Sequence, residues 1–457
     1  MSGQKGRDAV KTQRKKGRGD AAPIYRHPLL ESLSPYLSCL ANVEDPSSRE
    51  VRWTPQAAST AAVLMALCNS GTLKVRCEEA LLCLAQDVGG RRLGKTYNGL
   101  IQALARQSET VLPVLKADLR RQTKKALARI EKTWGWTLLA VDGSKADLPR
   151  TLSHERHFGI ADNGKSPQAF ITAIVEVNTK LLWDWRIDRG NASEKAHLIE
   201  MSAELPANSL LLADGNFVGY RVWQALAHKG RDFLIRIGGN VSLLTKLWPD
   251  AAIERKGDIV YVWPKSMQRR CPPLRLRLIR VGKGKACVHL LTNVLERPRL
   301  SNKVAGKIYR LRWGAEIFYR AFKRTLGFVK LKSRTGTRGR VELEWALAAC
   351  WIMILMGIAA MARRRVDPRR LSPAGLLEVV RKSLVHANLG RDAGQKLRGA
   401  LAGCVRDKYR RHGSKASRHR PTTKNTPKHH QLKPPKIRVA TAKERRIVRE
   451  MHFSLAA

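Results

Sequence analysis

Apolar residues recur at helical spacing through the first third of the chain. STAAVLMALCN, VRCEEALLCLAQDV, TYNGLIQALARQ and VLKADLRRQTKKALARIEKTW contain few β-branched runs, and they predict a helical region over residues 24–135. From residue 137 the texture changes. TLLAVDG, AFITAIVEVN, LLWDWRI, SLLLAD and DFLIRIG are apolar runs of strand length, with the helical stretches SEKAHLIEMSAEL and YRVWQALAHKG between some of them. Strands mixed with helices predict an α/β domain with a mixed sheet, over residues 136–239 and again over 301–365. Between 240 and 300, IVYVW, LRLRLIRV and ACVHLLTNV are separated by Gly, Pro and Lys with no helical stretch among them, which predicts an all-β insertion. One long helix is expected from about 303 to 326, and a further helical region over 366–405.

One stretch departs from amphipathic patterning. Trp345 to Ala362 is 18 residues without a charge, followed by Arg363, Arg364 and Arg365. Its length meets the lower limit for a membrane span with a positive flank. It is also solitary, internal and rich in alanine, as the buried core helix of a large domain would be. The core helix is the expectation, with no membrane partner.

Charge then narrows the function. The chain has 457 residues, with 86 Lys and Arg against 37 Asp and Glu, for a formal net charge of +49. Such an excess repels itself and attracts polyanions, which disfavours an enzyme of small metabolites and favours a nucleic-acid partner. A hydrophobic fraction of 43% excludes a wholly disordered basic protein. Cations concentrate at the ends. Residues 1–23 read as a disordered basic arm and 406–457 as a disordered basic tail, with 11 Lys or Arg and no acid between Lys408 and Arg438. The opening MSGQKGRDAVKTQRKKGRGD has no apolar core of a secretory signal, and the eight cysteines form no CxxC pair. Buried free thiols and a cytoplasmic, nucleoid-associated location are expected.

Gly89 to Thr96 matches G-x-x-x-x-G-K-[ST], the loop that cradles nucleotide phosphates. That motif needs a strand before it, whereas EEALLCLAQDV reads as helix, so no nucleotide is expected.

Candidate chemistry lies in the α/β region. Asp142 closes the run LLAV, and Asp214 closes SLLLA. A carboxylate at the carboxyl end of a buried strand sits at the rim of a sheet, where ligands bind. In KIYRLRWGAEIFYRAFKRTLG, Tyr309, Arg312, Glu316 and Lys323 fall at roughly 0, 300, 340 and 320° on a helical wheel, a single stripe flanked by Trp313 and Arg320. Ile317, Phe318, Ala321 and Phe322 fall opposite. Taken alone, the stripe is equally that of a salt-bridged surface. Taken with both aspartates, it supplies three carboxylates able to bind two divalent ions at a phosphodiester, with Arg312 and Lys323 to neutralise phosphate. All-oxygen ligands suit Mg²⁺.

Asp142 in VDGS, Asp214 in LLADGNF, and Y-x2-R-x3-E-x6-K over 309–323 resemble the DDE transposases of insertion sequences, and among them the insertion-sequence-four type. The resemblance covers about 137–345. It implies a ribonuclease-H-like catalytic core and cutting and joining of transposon ends through a hairpin intermediate. The implied partner is double-stranded DNA, both ends and target, with a homodimer on it. Asp142, Asp214 and Glu316 would ligate two Mg²⁺, with Mn²⁺ as substitute, and Tyr309, Arg312 and Lys323 would contact DNA phosphate. Arg320, Lys330 and Lys332 are candidates to extend that track, with Arg334, Arg338 and Arg340. A tryptophan of the β insertion, Trp248 or Trp263, would meet a flipped base. The rival readings are an inactive DNA-binding relative, an ATP-driven P-loop enzyme of nucleic acid, and a basic membrane-anchored protein.

Overall fold

The computed structural model describes residues 27–455, except 47–51, 86–92, 129, 131–132, 161–165, 249–257, 269, 285–286, 326, 328–330, 386–391 and 407–432. The amino-terminal arm and Lys330 therefore lie outside the described residues.

Ten strands form one sheet in the order β10-β6-β7-β8-β9-β5-β4-β1-β2-β3. β1 (Thr137–Asp147), β2 (Gln168–Glu176) and β3 (Leu182–Arg189) make an antiparallel meander. β4 (Ser209–Ala213) and β5 (Asp232–Ile237) run parallel to β1. Parallel neighbours need crossovers, and α6 (Glu194–Met201) and α7 (Tyr220–His228) lie in them. The period of two in each strand divides its side chains between two cores. Leu138, Ala140, Leu210, Leu212 and Leu234 face one core; Leu139, Val141, Leu211, Ala213, Phe233 and Ile235 face the other, which α6 and α7 cover.

The first core is closed by α1 (Pro28–Leu37), α2 (Pro55–Leu67), α3 (Leu73–Ala85) and α4 (Tyr97–Ala128), gathered around one long helix, α10 (Gly336–Arg363). α10 is long and apolar enough to cross a membrane, and 89% of its apolar window is buried in this structure. It packs on α2, α4, α5 (Leu152–Phe158), α11 (Pro373–Val385) and α12 (Ala393–Ala402), so it is the core helix that its alanine content suggested. The amino-terminal helices thus share one core with the sheet and with α10.

Three expectations need correction. The helix expected over 303–326 is three pieces: α8 (Asn302–Arg310), α9 (Trp313–Arg320) and a π-helical turn over Ala321–Thr325. The break follows from what each piece packs on, α8 on β8 and α9 on β2 and β1. Gly314 meets the turn after β2 at the break, where an added Cβ would lie 2.8 Å from the Val177 carbonyl oxygen. Second, the insertion's strands β6 (Ser242–Thr245), β7 (Ile259–Val262), β8 (Leu274–Val281) and β9 (Val288–Thr292) continue the central sheet, because β9 pairs directly with β5. Third, the carboxyl-terminal tail is not wholly disordered. β10 (Lys436–Val439) pairs in parallel with β6, and α13 (Ala442–Leu455) follows it. Tail composition concealed this because its apolar residues, Ile437, Val439, Ala440, Ile447, Val448 and Met451 among them, are scattered between cations.

Candidate functional site

The three expected carboxylates stand on three elements at one end of the parallel strands. β1 continues to Asp147 against β2, but its pairing with β4 ends at Ala140 opposite Leu212. Asp142 therefore lies within its strand, not at its end, and is at the rim because the neighbouring strand stops. Its carboxylate accepts the Gly143 amide at 2.9 Å. Burial first of all, then the charges of Asp214 and Glu316, raise its pKa to about 6, against the opposing pull of Arg312. Asp214 follows β4 and caps a 3-10 turn over Gly215–Phe217, accepting the Asn216 amide at 2.9 Å. Glu316 lies in α9 and accepts from the Arg312 guanidinium at 2.8 Å.

Two tyrosines tie these elements together. Tyr309 at the end of α8 donates to the Ala213 carbonyl at 3.3 Å, one residue before Asp214. The Tyr319 hydroxyl in α9 stands 2.9 Å from the carbonyl oxygens of both Asp142 and Ile171. Hence the helix pair that carries Glu316 is pinned to both aspartate-bearing segments. Burial raises the Tyr309 phenol to about 12, so it remains a hydrogen-bond donor.

The expected basic track divides. Arg312 is with the carboxylates, and Arg320 is exposed. Lys323 turns inward and donates to the Lys145 carbonyl, and burial lowers its pKa. Lys332 donates to the Gly71 carbonyl, Arg338 to Asn98 at 3.3 Å and Arg340 to the Ile187 carbonyl at 3.0 Å. These three lie toward the helical layer and β3. Of the two tryptophans, Trp263 is buried and donates to the Cys271 carbonyl at 2.7 Å, whereas Trp248 is half-buried. Ile317 and Ala321 are half-buried, while Phe318 and Phe322 are fully in the core.

The structure adds groups that spacing did not reveal. Glu194, the first residue of α6, lies against Gly143, where an added Cβ would stand 2.9 Å from its carboxyl carbon. Its Oε2 is buried without a hydrogen-bond partner. Burial, then the charges of Asp214 and Asp142, raise its pKa to about 7. Arg236 of β5 acts electrostatically on Tyr309 from the other side. An isolated Glu after a Ser N-cap carries no motif, although its position at a helix start beside a strand end is a signal of sorts.

Oxygen donors alone are the chemistry that a hard divalent cation prefers. Among the described residues, however, no three His, Cys, Asp or Glu side chains converge closely enough to hold one ion.

The Gly89–Thr96 motif does not become a phosphate loop in its described part. The element before it is helix α3, and Thr96 caps α4 by accepting the Gly99 amide at 3.2 Å. All eight cysteines are free thiols.

Residues 134–354 match the family model of the transposase DDE domain. The transposase InsG for insertion sequence element IS4 of Escherichia coli (strain K12) is 28% identical over 244 residues, which are 50% of this chain and 53% of that protein. The chain thus spans about half the length of this curated relative. Among solved structures, the cryo-EM structure of the piggyBac transposase synaptic complex with hairpin DNA is similar, with 12% identity and a TM-score of 0.40, covering 86% of this chain and 88% of that one. The segment that holds Asp142, Asp214 and Glu316 is thus the one that matches the transposase DDE domain, and the chain is similar there to the transposase of an insertion sequence of the IS4 type.

Proposed function

We propose that this protein is a DNA transposase that cuts and joins insertion-sequence ends at the rim formed by Asp142, Asp214 and Glu316. The observation that carries it is that Asp214 and Glu316, from the end of β4 and from α9, lie near enough to Asp142 of β1 to act on its carboxyl electrostatically, inside the family-matched segment of a chain of charge +49. The strand order, with an antiparallel β1–β2–β3 meander and β4 and β5 parallel to β1, supports a ribonuclease-H-like core.

Two Mg²⁺ ions, for which Mn²⁺ would substitute, fit the donor set of the three carboxylates and when bound supply the charge that activates an attacking oxygen and stabilises a departing one. The chain's own contribution is placement. Tyr309 and Tyr319 fix the distance between helix and strands, and Arg312 offers a guanidinium to a phosphate once Glu316 is otherwise engaged. Lys323 reaches phosphate by leaving the Lys145 carbonyl. Water attacks first and a freed 3′-hydroxyl second, with a hairpin intermediate as in the resembled group. The partner is double-stranded DNA, bound by a homodimer in the cytoplasm at the nucleoid. Arg320, Lys330 and Lys332 remain proposed phosphate contacts, and Trp248 is the better-placed tryptophan for a base.

The test is nicking of transposon-end DNA with Mg²⁺ or Mn²⁺ and without ATP. Asp142→Ala, Asp214→Ala and Glu316→Ala should each lower cleavage by more than about a hundredfold while duplex binding persists. Cleavage that survives in Glu316→Ala would remove the third ligand from this assignment, and tight binding with no cleavage on any DNA would favour the inactive relative.

A further inference from the structure

The segment expected as a loose tail ends in a built element. β10 lies on β6, and Ala440, Ile447 and Val448 close a third small core with Leu244, Leu247, Ile259, Tyr261 and Trp263 of the insertion. An ion pair between the buried Glu444 and the half-exposed Arg438 locks it. Glu444 accepts from the Arg438 guanidinium at 2.6 Å and 2.8 Å and from the Thr441 amide at 2.9 Å, and Gln268 of the insertion donates to it at 3.1 Å. One side of α13 is thereby fixed inward. At about 100° per residue, Glu444, Ile447, Val448 and Met451 span one third of the helix, and Lys443, Arg445, Arg446 and Arg449 occupy the opposite side.

That outer side has an unusual balance. Lys443, Arg446 and Arg449 are exposed, as is Lys436 at the start of β10. The acids of the element are Glu444, which is buried in its own pair, and Glu450, which lies 3.4 Å from Arg446. Lys443 and Arg449 are about 9 Å apart along the axis at 1.5 Å per residue, a separation of about two to three phosphate steps along the axis of one DNA strand. The segment that leads into the element passes the carboxyl end of β5. Lys433 and Pro434 pass against Gly239, two residues beyond the carboxyl end of β5, so closely that a Cβ at Gly239 would lie 2.9 Å from that of Lys433. Asp142 and Asp214 are at the same end of the parallel strands.

We infer that the outer face of α13, with Lys436, is a phosphate-binding face for duplex DNA, docked on the insertion through its own small core. The inference rests on the transposase reading, which it extends with a second DNA surface distinct from Arg312 and Lys323. Rigid placement matters here, because a docked helix adds phosphate contacts in fixed register, which an unstructured run of cations cannot do.

The experiment uses the full chain with Lys443→Ala, Arg446→Ala and Arg449→Ala combined. Binding to a transposon-end duplex is measured by anisotropy in EDTA between 50 and 200 mM salt. Losing two or three phosphate contacts should reduce the slope of log K against log salt by about 2–3 and weaken binding roughly tenfold or more. The thermal midpoint and the metal-dependent nicking rate at saturating DNA should stay as in wild type, and Glu450→Gln, which frees Arg446, should steepen the slope by up to about 1. An unchanged slope in the triple variant overturns the inference, and so does a loss confined to single strands. If wild type binds duplex but Asp142→Ala leaves its nicking intact, the catalytic reading fails instead, independently of the slope.

Discussion

Tyr319 shows how a single hydroxyl can hold a site. It is fully buried between two carbonyl oxygens, one of them that of Asp142. Tyr319→Phe keeps the ring and leaves those oxygens short of a donor, so a loss of about 1–2 kcal/mol is expected in urea denaturation, with slower nicking at unchanged duplex affinity. Glu194 offers the complementary case, a carboxyl held against its preference to ionise. Its folded pKa, raised to about 7 by burial and then by Asp214 and Asp142, exceeds its ordinary value of 4.5. Between those values the folded chain binds the proton that the unfolded chain has lost, so stability falls as pH rises through that window and stays lower above it. Glu194→Gln cannot ionise. Its thermal midpoint should gain on wild type at pH 8 and show little gain at pH 4.5, and an equal difference at both pH values would contradict this account. At this scale the sequence revealed what motifs can encode. Asp142, Asp214 and the Tyr-Arg-Glu-Lys spacing were legible, whereas Glu194 reaches the site only because β3 and α6 bring it back over Gly143.

At the scale of elements, the expected helical stripe holds only in part, since Lys323 lies in the π turn and donates to the Lys145 carbonyl. Tyr309 and Glu316 do meet the same rim, yet the helix breaks between them at Leu311 and Arg312. α8 packs on β8, and α9 packs on β2 and β1. Periodicity cannot reveal such a break, because each half is amphipathic and the cause is a close approach between distant segments. Gly314 marks that approach at atomic scale. Gly314→Ala would push a methyl to 2.8 Å from the Val177 carbonyl oxygen, with the Val177 Cα at 3.1 Å, both backbone atoms that cannot swing away. The expected cost is about 1–3 kcal/mol in the denaturation midpoint, with a larger fall in nicking than in duplex binding because Glu316 moves with α9. A variant as stable and as active as wild type would show that the contact is not what sets the break. Strands were more legible than helices here, since a buried parallel strand leaves an unbroken apolar run and its neighbours are set by short crossovers.

For the whole molecule, composition points to an anionic partner but not to where the cations are ordered. Runs of Lys and Arg look alike whether solvated or built into a fold, and only Glu444 distinguishes the end of this chain. Its carboxyl is held down at about 2, first by the Arg438 guanidinium and then by the Thr441 amide against the cost of burial. A depressed carboxyl stabilises above its ordinary value of 4.5, and the contribution is lost as pH falls toward 2. Glu444→Ala leaves Arg438 without its partner beside a small core, a change that costs roughly 3 kcal/mol where a buried pair is broken and less here because Arg438 is half exposed. The core that Glu444 serves is confined to β6, β7, β10 and α13, so the damage should stay local. Hydrogen exchange checks this directly. The β10 amides and those over residues 445–451 should exchange about tenfold faster or more in Glu444→Ala, while β1, β4 and β5 keep their protection. Acceleration spread evenly over the sheet would mean that the carboxyl-terminal element is part of the global fold, not a unit docked upon it. Protection unchanged everywhere would mean that the apolar contacts of Ile447 and Val448 hold α13 without the ion pair.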